Sequence, residues 1–203
     1  MTFKLSRILS YLLHPLLLPT IALVTIMFTP QLNTVVLPGL FQFWFLGVVF
    51  IFTFAIPVAG ILILKKFKAI ESIEINNRPE RTIPLILSST SFMAMLYAVK
   101  SQGIPPVYLY ILYTATFSLL AGLLINMVYK ISLHTLAWGS ITAALISVSA
   151  RLGQPDLGLI AVTVILAGLA GYARLKENAH NQSQVYWGYI AGALVIIIIS
   201  SFE

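Results

Sequence analysis

The amino-acid sequence predicts an all-α polytopic membrane protein, a transmembrane bundle of about 6–7 membrane helices forming one integral membrane domain over residues 1–203. Three observations carry this expectation. Hydrophobic residues make up 59% of the chain and charged residues only 9%, against roughly 45–50% and about 25% in soluble domains. The apolar residues fall in blocks close to the roughly 20 residues needed to cross about 30 Å of hydrocarbon. The blocks are also continuous, without the alternation of barrel strands that recurs over roughly ten residues, and helices and closed barrels alone satisfy their backbone groups in lipid.

The first block, 8–28, follows Lys4 and Arg7. It is long for the apolar part of a signal peptide and lacks a small-residue cleavage site, so it is expected to remain as the first membrane helix. Pro15 and Pro19 lie within it, and Pro57 lies within the second block, 40–65; each removes a backbone donor and predicts a kink. Further blocks follow at 83–99, 106–129, 135–152, 157–173 and 186–201. Those at 83–99 and 157–173 are short for a full crossing. Ala167-Gly168-Leu169-Ala170-Gly171 sets small residues four apart, a spacing that lets a neighbouring helix approach closely.

Seven crossings would put the amino terminus and the segments near 66–82, 130–134 and 174–185 on one side. That side holds Lys4, Arg7, Lys65, Lys66, Lys68, Arg78, Arg81, Lys130, Arg174 and Lys176, and the other only Lys100 and Arg151. The positive-inside rule assigns the rich side to the cytoplasm. The net charge of +6 is spread beside hydrophobic blocks, so it suits membrane lipid headgroups and no nucleic acid. With no cysteine, the chain has no disulfide framework, thiolate metal site or catalytic thiol. The composition leaves the oligomeric state open.

Polar chemistry gathers in three segments, 71–84, 130–135 and 174–184. Together they offer Arg78, Arg81, Lys130, Ser132, His134, Arg174, Glu177 and His180. Arginine forks and a serine hydroxyl suit phosphate oxygens, and two histidines can act as nucleophile and proton donor. The histidines lack the acids and thiols that complete a zinc site, so no metal and no cofactor are expected. His14, before Pro15, has no motif partner and reads as a structural histidine or a lipid-interface residue.

At these residues the chain resembles the type 2 phosphatidic acid phosphatase superfamily, whose membrane members dephosphorylate lipid phosphates without a metal. The family signature is a Lys, six residues, Arg-Pro, then Pro-Ser-Gly-His, then Ser-Arg, five residues, His, three residues, Asp. Arg78-Pro79, Ser132-Leu133-His134, and Arg174 with His180 match it in order and spacing, so the likeness covers roughly residues 71–184. It implies that His180 attacks phosphorus to form a phosphohistidine and that His134 protonates the leaving lipid oxygen. Arg78, Arg174 and Ser132 would hold the phosphoryl oxygens; Arg81 and Lys130, outside the signature, are expected to bind the phosphate with them on their chemistry alone.

Glu71, Ile131, Leu133, Ala173 and Gln184 stand where the family has Lys, Pro, Gly, Ser and Asp. The last exchange bears on the nucleophile, because an amide can orient an imidazole but cannot stabilise its cation as a carboxylate does. Glu177, one turn before His180, is the alternative orienting group. The expected function is therefore hydrolysis of a lipid phosphate or pyrophosphate, and the alternative is an inactive relative that binds or transports an anionic phospholipid. The resemblance points to a bacterial inner membrane. Many members that process envelope lipids face the periplasm, whereas the charge count favours the cytoplasm.

Overall fold

The computed structural model describes residues 3–33, 35–75 and 77–200. Met1, Thr2, Thr34, Asn76 and 201–203 lie outside the described residues, and with them the last position of the 186–201 block. Among the described residues there are eight helices and no strands. Six helices are long and apolar enough to cross a membrane, so the chain is built as a multi-pass membrane protein.

The first block departs from the expected single helix. It forms α1 (Phe3–Leu12) and α2 (Leu18–Phe28), separated by a turn in which Leu17 N–H donates to His14 O. Pro15 causes the break, since it has no N–H and its ring collides with the preceding turn. The carbonyls left free at the end of α1 are taken up by α6, introduced below: His134 Nε2 donates to Ser10 O at 3.1 Å and Trp138 Nε1 to Leu13 O at 3.3 Å. Neither helix crosses alone, yet the pair carries the chain from end to end of the bundle. Ser10 Oγ donates to Glu177 at one end, and Asn33 accepts from Tyr108 at the other. α1 buries Ser6 and Ser10 while exposing Phe3, Leu5, Ile8 and Leu12, an orientation that suits apolar surroundings.

The second block is one 28-residue helix, α3 (Gly39–Lys66), with a π-helical stretch at Ile51–Ala55 just before Pro57. Ile56 N–H bonds to Ile51 O, five residues back, and the next donor in that register would be Pro57, which has none. Phe52 O is thereby orphaned. The hydroxyl of Ser91 on α4 (Pro79–Val99) fills the vacancy. The proline thus produces a π-bulge with a specific tertiary partner.

α5 (Pro106–Val128), α6 (Leu133–Arg151), α7 (Leu157–Lys176) and α8 (Gln182–Ser200) complete the bundle. The two blocks that looked short extend to 21 residues in α4 and 20 in α7. α6 is the central helix: 67% of its most apolar 18 residues are buried, against 17% in α3. Its closest neighbour is α8, where a Cβ added at Gly188 or Gly192 would collide with Ser132 O or Leu136 O on the α6 side. Gly139 meets the Tyr189 backbone in the same way. Backbones this close need glycine. In the expected small-residue run of α7, Gly171 faces Val185 and Thr135, whereas Gly168 meets nothing. The deepest core includes Leu23, Ile26, Phe45, Met95, Tyr108 and Ile111.

Candidate functional site

The three polar segments meet at one end of the bundle. Arg81, at the start of α4, joins them: its Nε donates to Ile75 O at 2.8 Å and its Nη1 to Ile131 O at 3.2 Å, while Nη2 lies 3.4 Å from His180 Nε2. Ile75 has φ +44°, which a β-branched residue rarely adopts. The carbonyl it presents to Arg81 is one return on that strain.

His180 is set in place by the end of α7. Asn178 takes φ +54°, Asn178 N–H donates to Leu175 O and Ala179 N–H to Arg174 O; this is a Schellman turn with Asn at its left-handed position. The turn folds the chain back, so that His180 N–H also reaches Arg174 O at 3.4 Å. The next helix then starts with a capping box. Gln184 N–H donates to Asn181 Oδ1 at 2.9 Å and Asn181 N–H to Gln184 Oε1 at 3.4 Å, reciprocal bonds that satisfy two free donors.

Gln184 Oε1 also lies 2.9 Å from His180 Nδ1. An amide oxygen only accepts, so the ring proton sits on Nδ1 and the Nε2 lone pair faces the Arg81 guanidinium. Burial, then the nearby charge of Arg81, push the His180 pKa down to about 3, against the hydrogen bond to Gln184. The imidazole is therefore neutral and oriented, with its Nε2 lone pair directed at Arg81.

The other expected site residues divide. Arg174 is buried and donates from Nη1 to Glu177 Oε2 at 2.7 Å, whereas its Nε is buried with no partner. Glu177 is therefore committed to Arg174 and to Ser10 Oγ; the orienting contact to His180 falls to Gln184 instead. Lys130 makes no hydrogen bond or ion pair among the described residues. Burial lowers its pKa, followed by the charges of Arg81 and Arg174, so it adds to the same positive field.

Arg78 and Ser132 are not brought to this cluster. Arg78 Nη1 donates to Asn126 O at 3.1 Å and Met127 O at 2.6 Å, closing the carbonyl end of α5, and its own carbonyl accepts from Asn126 Nδ2. Ser132 is fully buried as the N-cap of α6, where its hydroxyl accepts from Thr135 N–H. Both residues do structural work at helix ends, and neither is among the residues that line the cavity described next.

Arg81, Arg174, His134 and His180 line a single cavity of about 150 Å³, together with His14 and Glu74. His134 donates its Nε2 proton to Ser10 O and packs edge to face on His14, with ring centroids 5.2 Å apart. Its remaining lone pair, on Nδ1, is an acceptor. His14 is the residue that sequence reasoning passed over, because it reaches the cavity through the Pro15 break and belongs to no motif. Glu74 pairs with Arg7 at 3.7 Å. The rest of the wall is apolar and runs between α2, α4, α5 and α6. Among the described residues no group of three or more His, Cys, Asp or Glu is placed to hold a metal ion.

An anion is the complement this end of the cavity asks for. Two buried guanidiniums with donors to spare face it, and charge-assisted bonds to them strengthen where water is excluded. No family model, no curated protein and no solved structure matches the chain.

Proposed function

We propose that the chain is a membrane lipid phosphatase that hydrolyses a lipid phosphate or pyrophosphate without a metal, with His180 as nucleophile. The observation that carries this reading is the line Gln184–His180–Arg81 at the mouth of an apolar cavity. Gln184 holds the Nδ1 proton, and the Nε2 lone pair, which faces Arg81 Nη2 at 3.4 Å, is released to attack phosphorus when that guanidinium turns with Arg174 to the phosphoryl oxygens and the charge that grows on them. The P–O bond to the lipid breaks as the N–P bond forms, and the leaving oxygen takes a proton from water. Water then cleaves the phosphohistidine to release phosphate. The concentration of basic residues at this end suits a site facing the cytoplasm; a cysteine placed at Gln182 and labelled by an impermeant reagent in intact cells would contradict that orientation.

The test is phosphate release from phosphatidic acid, phosphatidylglycerol phosphate and polyprenyl pyrophosphate in detergent containing EDTA. Turnover of at least one is expected, with His180→Ala reducing it to background. No release from any of them, or undiminished release by His180→Ala, overturns the proposal.

One observation favours a second reading, binding without turnover. His134, the expected proton donor, has spent its ring proton on Ser10 O, and a Gln cannot neutralise a phosphoimidazolium. Headgroup binding that weakens with salt and with Arg81→Ala, without phosphate release, would establish that reading.

A further inference from the structure

His14 and His134 sit together on the cavity wall, and the chemistry proposed above uses neither ring. Their centroids are 5.2 Å apart, edge to face. Each ring has one nitrogen tied to the backbone. His14 Nδ1 accepts from Leu16 N–H at 3.3 Å, in the turn that Pro15 imposes, whereas His134 Nε2 donates to Ser10 O at 3.1 Å. Both rings are neutral, because charging either would add a cation to a buried space that already holds the Arg81 and Arg174 guanidiniums. A neutral imidazole carries one N–H and one lone pair, so the backbone contacts fix both tautomers. What is left is a donor, His14 Nε2–H, and an acceptor, His134 Nδ1. Neither has a hydrogen-bond partner among the described residues.

A donor beside an acceptor is the complement of a hydroxyl, whose oxygen takes the first and whose proton goes to the second. We infer that His14 and His134 form a hydroxyl site beside the phosphate site, taking either water or an alcohol group of the phosphate-bearing ligand. This rests on the phosphate reading above and deepens it. His134 is within electrostatic reach of Arg174 and His180 and shares their cavity, so a hydroxyl held there lies next to the anion. The cavity, at about 150 Å³, has room for several water-sized groups at about 30 Å³ each. Thr114 on the same wall is fully buried with an unpartnered hydroxyl, which also asks for a polar occupant. With water as the occupant, the site completes the reaction. The water oxygen attacks phosphorus, the P–N bond to His180 Nε2 breaks with its electron pair returning to that ring, and the water proton goes to His134 Nδ1.

Two amides at position 14 separate the roles of its two nitrogens. In His14→Asn the side-chain oxygen falls where Nδ1 was and still accepts from Leu16 N–H, but nothing reaches as far as Nε2. In His14→Gln the terminal NH2 falls where Nε2 was. A hydroxyl site therefore predicts loss in His14→Asn and rescue in His14→Gln, whereas a role confined to the turn predicts the reverse.

The experiment uses the full chain in detergent micelles. Methylphosphonate reports the anion alone, while ethylphosphonate and 2-hydroxyethylphosphonate differ only by a hydroxyl. An alcohol group as occupant should make the hydroxylated probe bind about tenfold tighter than ethylphosphonate, a preference lost in His14→Asn and kept in His14→Gln. Water as occupant should leave the two probes equal. The phosphoenzyme trapped from a ³²P-labelled lipid among the three above should then form at the wild-type rate in His14→Asn but decay about tenfold more slowly, with His14→Gln close to wild type. Without turnover the water arm is read from ¹⁵N-histidine spectra, as a cross-peak between water and His14 Nε2–H that vanishes in His14→Asn. Equal probes together with wild-type decay, or with no such cross-peak, overturn the inference, as does either effect surviving in His14→Asn and failing in His14→Gln. Those outcomes leave the phosphate reading standing, provided methylphosphonate binds. Failure of methylphosphonate to bind, with no phosphate release, overturns the phosphate reading itself, and the cross-peak still decides the hydroxyl site.

Discussion

Replacing Gln184 with Glu puts a carboxylate oxygen 2.9 Å from His180 Nδ1 in place of the amide oxygen at that distance. The imidazole of the wild type is held neutral to about pH 3 by burial and by Arg81. A negative charge with its centre about 4 Å from the ring contributes about 4 kcal/mol at an effective dielectric of 20, or about 3 pKa units. The His180 pKa should therefore rise from about 3 to about 6. With three histidines in the chain, ¹⁵N-histidine spectra in micelles resolve each ring, and His180→Ala assigns the signal. Wild-type His180 should stay neutral, with its proton on Nδ1, down to about pH 4, and the Glu variant should titrate near pH 6. A wild-type ring with its proton on Nε2, or a variant whose titration does not move, would refute the hydrogen-bond assignment on which the proposed nucleophile depends.

The same shift fixes the pH dependence of stability. Because the folded-state pKa lies below the ordinary value of 6.5, the unfolded chain binds the proton more readily. His180 therefore favours the folded state above pH 6.5, and that contribution is lost as pH falls from 6.5 toward 3. The full difference is at most about 5 kcal/mol. In Gln184→Glu most of this loss should vanish, so the acid arm of a thermal-melt profile becomes flatter between pH 6.5 and 3, even if melting at pH 7 is unchanged.

Arg78→Ala should lower the melting temperature, since it strips two carbonyls at the end of α5 of a charged donor worth about 1.5–3 kcal/mol; methylphosphonate binding should hold at the wild-type level, and a selective loss of binding without a loss of stability would restore Arg78 to the site. Ser91→Ala leaves Phe52 O without a donor beside the π-bulge and should cost about 1–3 kcal/mol in a denaturation midpoint, whereas Ser91→Ala in a Pro57→Ala background should cost less, because the restored N–H reclaims a carbonyl. Gly192→Val drives a side chain into Leu136 O and should destabilise by more than about 3 kcal/mol or abolish folding, measured by detergent-resistant monomer on size exclusion. Retention of the wild-type midpoint in Gly192→Val would mean that α6 and α8 do not approach as described.

What the sequence makes legible follows from which forces are local. Hydropathy is additive over a block, so the long helices and the side on which the polar segments gather can be read without knowing any contact. The break at Pro15 was half legible: a proline predicts a disturbed helix, but whether it kinks or stops depends on who receives the freed carbonyls, here His134 and Trp138 from a helix more than a hundred residues away. The site shows the same limit. Arg81 and Arg78 are three residues apart in a polar loop and chemically identical, yet one spends its fork on the end of α5 and the other on His180. Spacing within the segment does not distinguish them, because the choice is made by where the last turn of α5 ends. The exception is Gln184. Asn181-x-x-Gln184 is a capping-box pattern written in the local sequence, and it required Gln184 to turn back toward the start of α8, where His180 precedes it. The capping contact and the contact to His180 are thus one rotamer of one side chain. A substitution at 184 that keeps the cap, such as Glu, should retain α8 while changing the charge on His180, so helix integrity and site electrostatics can be separated at a single position.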